Sequence, residues 1–378
     1  MTNPPPPGNW GPPQPGPQPP YAQGQPPYGP PGQWPAQQGW GPPPQPPKNN
    51  GLKWLLIGVA VLLVIAITIG ATLLFTRDGG DDGPPTATGT PPAAGDIASA
   101  NDTGPVGIIT EDPTCDPWRP IATNLANIES QGWNDRDSSV PSTSWTADVR
   151  RQHENVANAM RAAADQTVPL ARTTPNRVMR ELFEQSIAYW RAYADSIPNY
   201  DPSDNHLANT AGNSSNAVVS ICNAILSRTA HERAPAVPPA PVPESVSAPT
   251  HPHPPQRFIE ESNSSVCAKW EQMTDSFDAD TAPWRESDHG LDAAQWNPIQ
   301  RAIFDQAASR ISRFAQEMVE LSAQSNNPTW DDFAQLSSQY WQAYVQAIPT
   351  YIASDHDLSV AAAYLAYIPL QACLAVQG

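Results

Sequence analysis

The string YWRAYADSIPNY at residues 189–200 returns at residues 340–351 as YWQAYVQAIPTY, a shift of 151 positions. Both Tyr-Trp pairs, the following Tyr193 and Tyr344, the Ile-Pro pairs, and Tyr200 and Tyr351 keep register. Working outward, the match extends to Trp145 and Trp296, to SDNHL at Ser203–Leu207 and SDHDL at Ser354–Leu358, and to Cys222 and Cys373. Upstream, CDPW at Cys115–Trp118 answers CAKW at Cys267–Trp270, and Trp133 answers Trp284. An ordered series of this length marks a duplicated module of about 110–120 residues.

Each copy reads as helical. Phe304, Ala307, Ile311, Phe314, Met318 and Leu321 follow steps of three and four, the apolar stripe of an amphipathic helix. Copy one offers His153, Val156, Met160, Ala163, Thr167 and Leu170 at the same places. The next helix is expected to open at Thr174–Pro175 in copy one and at Asn327–Pro328 in copy two, a cap residue followed by proline at the first helical position. It should stop near the Ile-Pro pair, because proline disfavours helix in the residue before it. A shorter helix after the first cysteine and a last helix carrying the second complete four per copy. Alternating β patterns bounded by turn signals are absent. The fold class is therefore all-α, a tandem repeat of two disulfide-stapled four-helix bundles. In an up-down-up-down bundle the start of helix one and the end of helix four share one end. That geometry pairs Cys115 with Cys222 and Cys267 with Cys373, and leaves the two copies covalently independent.

The rest of the chain arranges itself around this repeat. Twenty of the 47 prolines lie in the first 50 residues, a composition that cannot build a core. Trp54 to Thr76 is a run of 23 residues without a charge, about 34 Å as a helix, enough to cross a bilayer core. A 50-residue tail precedes it and no small-residue cleavage site follows, so it reads as a signal-anchor. Lys48 and Lys53 on its N-terminal side, against Arg77 followed by Asp78, Asp81 and Asp82 on the other, favour a cytoplasmic N-terminus. All four cysteines lie past the span, as disulfides in an oxidising exterior would. The partition is a disordered tail (1–50), a transmembrane helix (51–77), a stalk (78–110), repeat one (111–230), a Pro-rich linker (231–257) and repeat two (258–378). The linker reads as an extended spacer transmitting few contacts between repeats. Residues 78–378 carry 37 acids against 17 bases, a net charge of −20 that excludes nucleic acid as a partner.

Candidate chemistry is sparse. Tyr189, Trp190, Tyr193 and Tyr200, with Tyr340, Trp341, Tyr344 and Tyr351, form either a ligand or partner face or a shared core; retention in both copies favours the core. Asp204/His206 and Asp355/His356/Asp357 stand where the last helix begins. They suit capping better than metal, since His206 aligns with Asp357 and His356 with Asn205. His153, in the place of Phe304, reads as a hydrogen-bonded core histidine rather than a haem or metal ligand. The His251–Pro255 string HPHPP falls in the linker. Asn101, Asn213 and Asn263 open Asn-x-Ser/Thr triplets. Nucleophile-elbow, phosphate-loop, dinucleotide, zinc-protease and EF-hand patterns are absent, so no catalytic residue, metal or cofactor is assigned.

The opening MTNPPPPGNWGPPQPGPQPPYAQGQPPYGPPGQW, followed by one anchor, resembles the proline-rich single-pass envelope proteins of mycobacteria and related actinobacteria. The two-Cys helical modules are loosely similar in plan to small secreted haem-binding proteins of mycobacteria, without a residue-by-residue match to their ligands. The resemblance implies a plasma-membrane setting and no activity. The expected function is a non-enzymatic, membrane-anchored envelope protein displaying two binding or scaffolding modules outside the cytoplasm. The alternatives are a carrier of an apolar ligand such as haem or lipid, and an envelope enzyme. A roomy apolar pocket along the Tyr/Trp face would favour the carrier, a packed bundle the scaffold.

Overall fold

The computed structural model describes residues 97–261 and 264–377. These fall within one compact unit, Thr88–Gly378. The Pro-rich tail, the 54–76 run, the stalk up to residue 96 and Asn263 lie outside the described residues.

The described chain is helical, with no strand among the described residues. Repeat one contains α1 (Cys115–Glu129), α2 (Ala147–Thr173), α3 (Arg177–Ser196) and α4 (Asn205–Leu226), followed by a short α5 (Thr229–Arg233). Repeat two contains α6 (Ser264–Asp280), a one-turn α7 (Ala282–Arg285), α8 (Pro298–Ser322), α9 (Pro328–Ala347) and α10 (His356–Leu374). Within repeat one α1 packs on α2, α2 on α3, α3 on α4 and α4 back on α1; α6, α8, α9 and α10 close the same ring in repeat two. Cys115 is bonded to Cys222, and Cys267 to Cys373, across the ends of these rings.

The start of α3 differs from the sequence expectation. Thr174 closes α2, and its hydroxyl donates to Asp112 Oδ2 at 2.5 Å. The cap is Asn176, whose Oδ1 accepts from Met179 N at 3.0 Å; Asn327 Oδ1 accepts from Trp330 N at 3.2 Å. Both caps obey the 151-residue offset. In copy one the proline, Pro175, precedes the cap, whereas in copy two Pro328 follows it.

The larger correction concerns independence. The two rings share one hydrophobic core. The most extensive helix pairing in the molecule is α4 against α10, the last helix of each repeat against its counterpart. They run antiparallel: His206 at the start of α4 meets Gln371 near the end of α10 at 2.8 Å, while Asp357 at the start of α10 is bonded by Asn223 late in α4. This is an isologous contact, the pattern of a twofold dimer fused into one chain. Ala208, Ala211, Ala217 and Ser214 on α4, and Ala361, Ala362, Ala366 and Ser359 on α10, are buried. Small side chains let two helix backbones approach closely.

The segments before each repeat cross over as well. Tyr340 in repeat two donates to Ile109 O at 3.4 Å, and Tyr189 in repeat one stands edge-on to Phe258, ring centroids 6.3 Å apart. The linker is part of the body: Val237 and Ala240 are buried, Ala240 N donates to Val106 O at 3.0 Å, and Arg233 grips Asp355 at 2.7 Å. A proline-rich segment lacks donors but keeps its carbonyls and its apolar rings, so it can strap a surface without regular structure. One described stretch, Ala353–Leu374, is long and apolar enough to span a membrane by length and composition. Most of it is buried as α10, so its hydropathy serves the core.

Candidate functional site

The duplication supplies an internal control: what both copies keep is needed to fold, and what one copy changes is free to serve something else. The aromatic corner is kept. Trp145 stacks on His153 with centroids 4.0 Å apart, and Trp296 lies on Phe304 at 4.1 Å. Tyr200 donates to Ser138 O and Tyr351 to His289 O, each at 2.8 Å. Trp145 Nε1 donates to Val140 O at 2.8 Å, and Trp296 Nε1 to Leu291 O at 2.9 Å. All eight candidate aromatics, Tyr189, Trp190, Tyr193, Tyr200, Tyr340, Trp341, Tyr344 and Tyr351, are at most 1% exposed. Trp190 stacks on Trp118 at 6.1 Å, Trp341 meets Phe277 and Trp284 edge-on, and Trp284 Nε1 donates to Tyr344 Oη at 2.8 Å. The Tyr/Trp face is filled by protein; it is core.

His153 is buried, with Nδ1 2.9 Å from Val149 O, and burial lowers its pKa. Asp204 accepts from Asp201 N at 2.9 Å and Asp355 from Ile352 N at 3.0 Å, both at the turn before the last helix. His356 does not cap. It stacks on His289 with centroids 4.4 Å apart, and burial, then the neighbouring imidazole, lowers its pKa to about 4. The HPHPP string lies against α3, where Thr250 donates to Glu184 Oε1 at 2.8 Å. Among the described residues no three His, Cys, Asp or Glu side chains gather as metal ligands would.

Two features escaped the sequence reading. The first is a buried ion network between α3 and α9. Arg177 Nε and Nη2 donate to Asp332 Oδ2 and Oδ1 at 2.6 and 3.0 Å, a two-point grip, and Nη1 donates to Asp102 O at 2.7 Å. Arg180 donates to Glu181 at 3.3 Å and to Ser247 O at 2.8 Å. Burial, and next the Asp332 charge, push the Glu181 carboxyl well up. Arg177, Arg180, Glu181 and Glu184 follow helical spacing, which in sequence looks like an ordinary solvated stripe; Asp332 of the second repeat, Ser247 and Thr250 of the linker and the Asp102–Gly104 segment cover it.

The second is a cleft of 370 Å³ where α1 and the following loop meet α4 and α10. Glu129, Trp133, Asn134 and Arg136 form one wall; Asn209, Gly212, Asn213 and Asn216 of α4 form another, with Tyr367 and Gln371 from α10. The Arg136 guanidinium lies 3.3 Å from the Trp133 ring centroid. It donates to Trp133 O at 3.1 Å and to Asn205 Oδ1 at 2.5 Å. Burial lowers the Arg136 pKa and raises that of Glu129 to about 7, against the attraction of Arg136. Copy two does not repeat these groups: Gly212, Asn213 and Asn216 are replaced by Ala363, Tyr364 and Tyr367, and Arg136 by Ser287. The sequence signal was available in the five asparagines of α4, none of which recurs in α10.

Comparison with known proteins agrees with the mycobacterial resemblance seen in the N-terminal composition. The chain is 42% identical over 341 residues, 90% of each chain, to an uncharacterised protein of Mycolicibacterium smegmatis (strain MKD8). No solved structure matches it. Residues 97–377, the whole described body, match the family model described as mycobacterial ESX-1 associated protein, and the chain belongs to that family.

Proposed function

We propose that this protein is a non-enzymatic component of the mycobacterial envelope that works beside ESX-1 secretion, anchored by the 54–76 span with residues 78–378 outside the cytoplasm. The body acts as a rigid scaffold that presents a binding surface to a component of the secretion system. The observation that carries this reading is the filled aromatic core. With the Tyr/Trp face packed edge-to-face, no room is left there for haem or a lipid, whereas the open polar cleft is accessible and differs between the copies. Two disulfides suit an oxidising compartment.

The test is capture of the full chain from native envelope after cross-linking through a photoreactive residue at Gly212, with mass spectrometry of what is retained. Retention of ESX-1 machinery components, lost when the photoreactive residue is moved to α8, supports the proposal. Recovery of haem or lipid with the chain, or no ESX-1 component above an untagged control, overturns it.

A further inference from the structure

The duplicated fold repeats one surface groove and fills it only once. Between α2 and α3 the groove is lined by Val168, Ala171, Arg172 and Glu184; between α8 and α9, 151 residues on, it is lined by Val319, Ser322, Ala323 and Gln335. In repeat one Thr250, His251, His253 and Pro255 of the linker lie in it beside Ile97, and 30 Å³ is left. In repeat two 560 Å³ stands open. The segments before the repeats break the symmetry. The one before repeat two crosses onto α3. The one before repeat one touches the open groove at Val106 and, followed back towards its start, turns to its own ring, where Arg177 donates to Gly104 O and Asp102 O and Ala98 N donates to Arg172 O. Pro241–Ser245 of the linker form only a rim, with Val242 70% exposed.

The filled groove shows what the open one can hold. In repeat one α3 grips the linker through its main chain: Glu184 Oε1 accepts from Thr250 N at 3.1 Å, and the Gln185 amide donates to Gln256 O at 3.1 Å and accepts from Phe258 N at 3.0 Å. On α9 Gln335 stands in the place of Glu184, and its amide has no hydrogen-bond partner among the described residues. Ala323 in the place of Arg172 leaves room above it. A proline-rich segment keeps its carbonyls for such a donor and is extended before it binds, so ordering it costs little. Val106, Val319 and Val242 offer its rings apolar contact. Glu244 and Asp331 add negative charge, Asp332 being held by Arg177, and no Lys, Arg or His lines the groove, a field that attracts a basic segment. No aromatic ring lines it, so a sugar finds no stacking face. The stalk of this chain is a poor match, since residues 78–96 hold Asp78, Asp81, Asp82 and Asp96 and no Lys or Arg.

We infer that the α8–α9 groove seats a proline-rich, basic segment of a partner protein, held as the linker is held on α3. The groove is separate from the α4 cleft, and the inference goes beyond the reading above without resting on it.

The experiment pans the full disulfide-bonded chain in detergent against a displayed library of random twelve-residue peptides, then titrates a synthetic copy of an enriched peptide. The expected result is enrichment of prolines together with Lys or Arg, and an affinity that falls as salt rises. Ala323→Arg restores the residue of the filled copy and should weaken binding at least tenfold. Glu244→Lys, on the exposed rim, should weaken it severalfold without touching the core. Gln335→Glu, which restores the acceptor of the filled copy, should keep binding or tighten it. Unchanged binding by Ala323→Arg and Glu244→Lys, enrichment of acidic or proline-free peptides, or no enrichment over Ala323→Arg overturns the inference. So does a cross-link from a photoreactive residue at Gln335, in the full chain alone, to residues 78–96 or to a second copy. The capture through Gly212 probes a different site; with its α8 control at Ile299, at the opposite end of that helix from Ser322, its failure leaves this groove standing.

Discussion

Trp341 illustrates how much one residue carries. It is 1% exposed and touches Phe277, Phe314, Trp284 and Tyr344. Truncating a buried tryptophan removes its transfer energy and leaves a cavity, so Trp341→Ala is expected to cost about 3–5 kcal/mol in denaturant unfolding. A change at the surface-site level would return the aromatic face to candidacy as a binding wall. Two titrating residues give opposite pH signatures. Glu129 takes its proton near 7 when folded, against 4.5 for the free group. The native state then holds the extra proton between these values. Its contribution is full below about 4.5 and is lost as pH rises through 7. Glu129→Gln should therefore match wild type at about pH 4 and exceed it in stability at about pH 8. His356 has the reverse sense. Its folded pKa of about 4 lies below the ordinary 6.5, so stability falls as pH drops from 6.5 through 4. His356→Asn, the residue of the sister copy, should flatten that acid limb in urea midpoints measured across the range.

At the scale of an element, α4 is the instructive helix. Its buried face of alanines and serines meets α10, while its other stripe spends helix propensity on asparagine and Gly212. Gly212 has no positive φ, and a Cβ there has open space. Gly212→Ala should stabilise the chain by about 0.5–1 kcal/mol, read as a shift in denaturation midpoint. A loss instead would mean that the helix needs the glycine for its packing. The cap of α3 can be checked in the same way: Asn176→Ala removes the acceptor for Met179 N and should cost about 1 kcal/mol, with no such loss at Thr174 if its tie to Asp112 is retained by Ser.

For the whole molecule, the fused core changes what cooperativity to expect. Bundles on a loose tether would melt separately. Here α4 lies on α10, Arg177 is locked to Asp332, and the pre-repeat segments cross from one ring to the other. Calorimetry should show one unfolding transition, and Cys115→Ala with Cys222→Ala should lower that shared transition rather than half of it. The disulfide closes a loop of 107 residues, for which chain entropy suggests about 4–5 kcal/mol. Two resolved transitions would restore the independent-module picture. Breaking the buried pair by Asp332→Ala leaves the Arg177 charge with only the more distant Asp102 carboxylate at 3.6 Å, a loss of up to about 3–5 kcal/mol felt by both repeats.

The sequence by itself determined the repeat, the helical class and both disulfide partners. These follow from spacing: a shared offset, a 3.6-residue period, and cysteines placed at ends that a bundle must bring together. It also pointed to the aromatics as core, since both copies retain them. It placed the α3 start two residues early, because a cap followed by proline is a probabilistic signal that the Asn176 side chain outweighs. The ion network, the α4–α10 seam and the cleft were decided by tertiary structure. Arg177, Arg180 and Glu181 have the spacing of a solvated stripe until α9, the linker and the segment before repeat one cover them, and Asn213 and Asn216 have no meaning as a wall until Trp133 and Tyr367 stand opposite. Period and composition record which face of a helix is apolar. Which helix that face meets depends on contacts more than a hundred residues apart, and no local pattern encodes them.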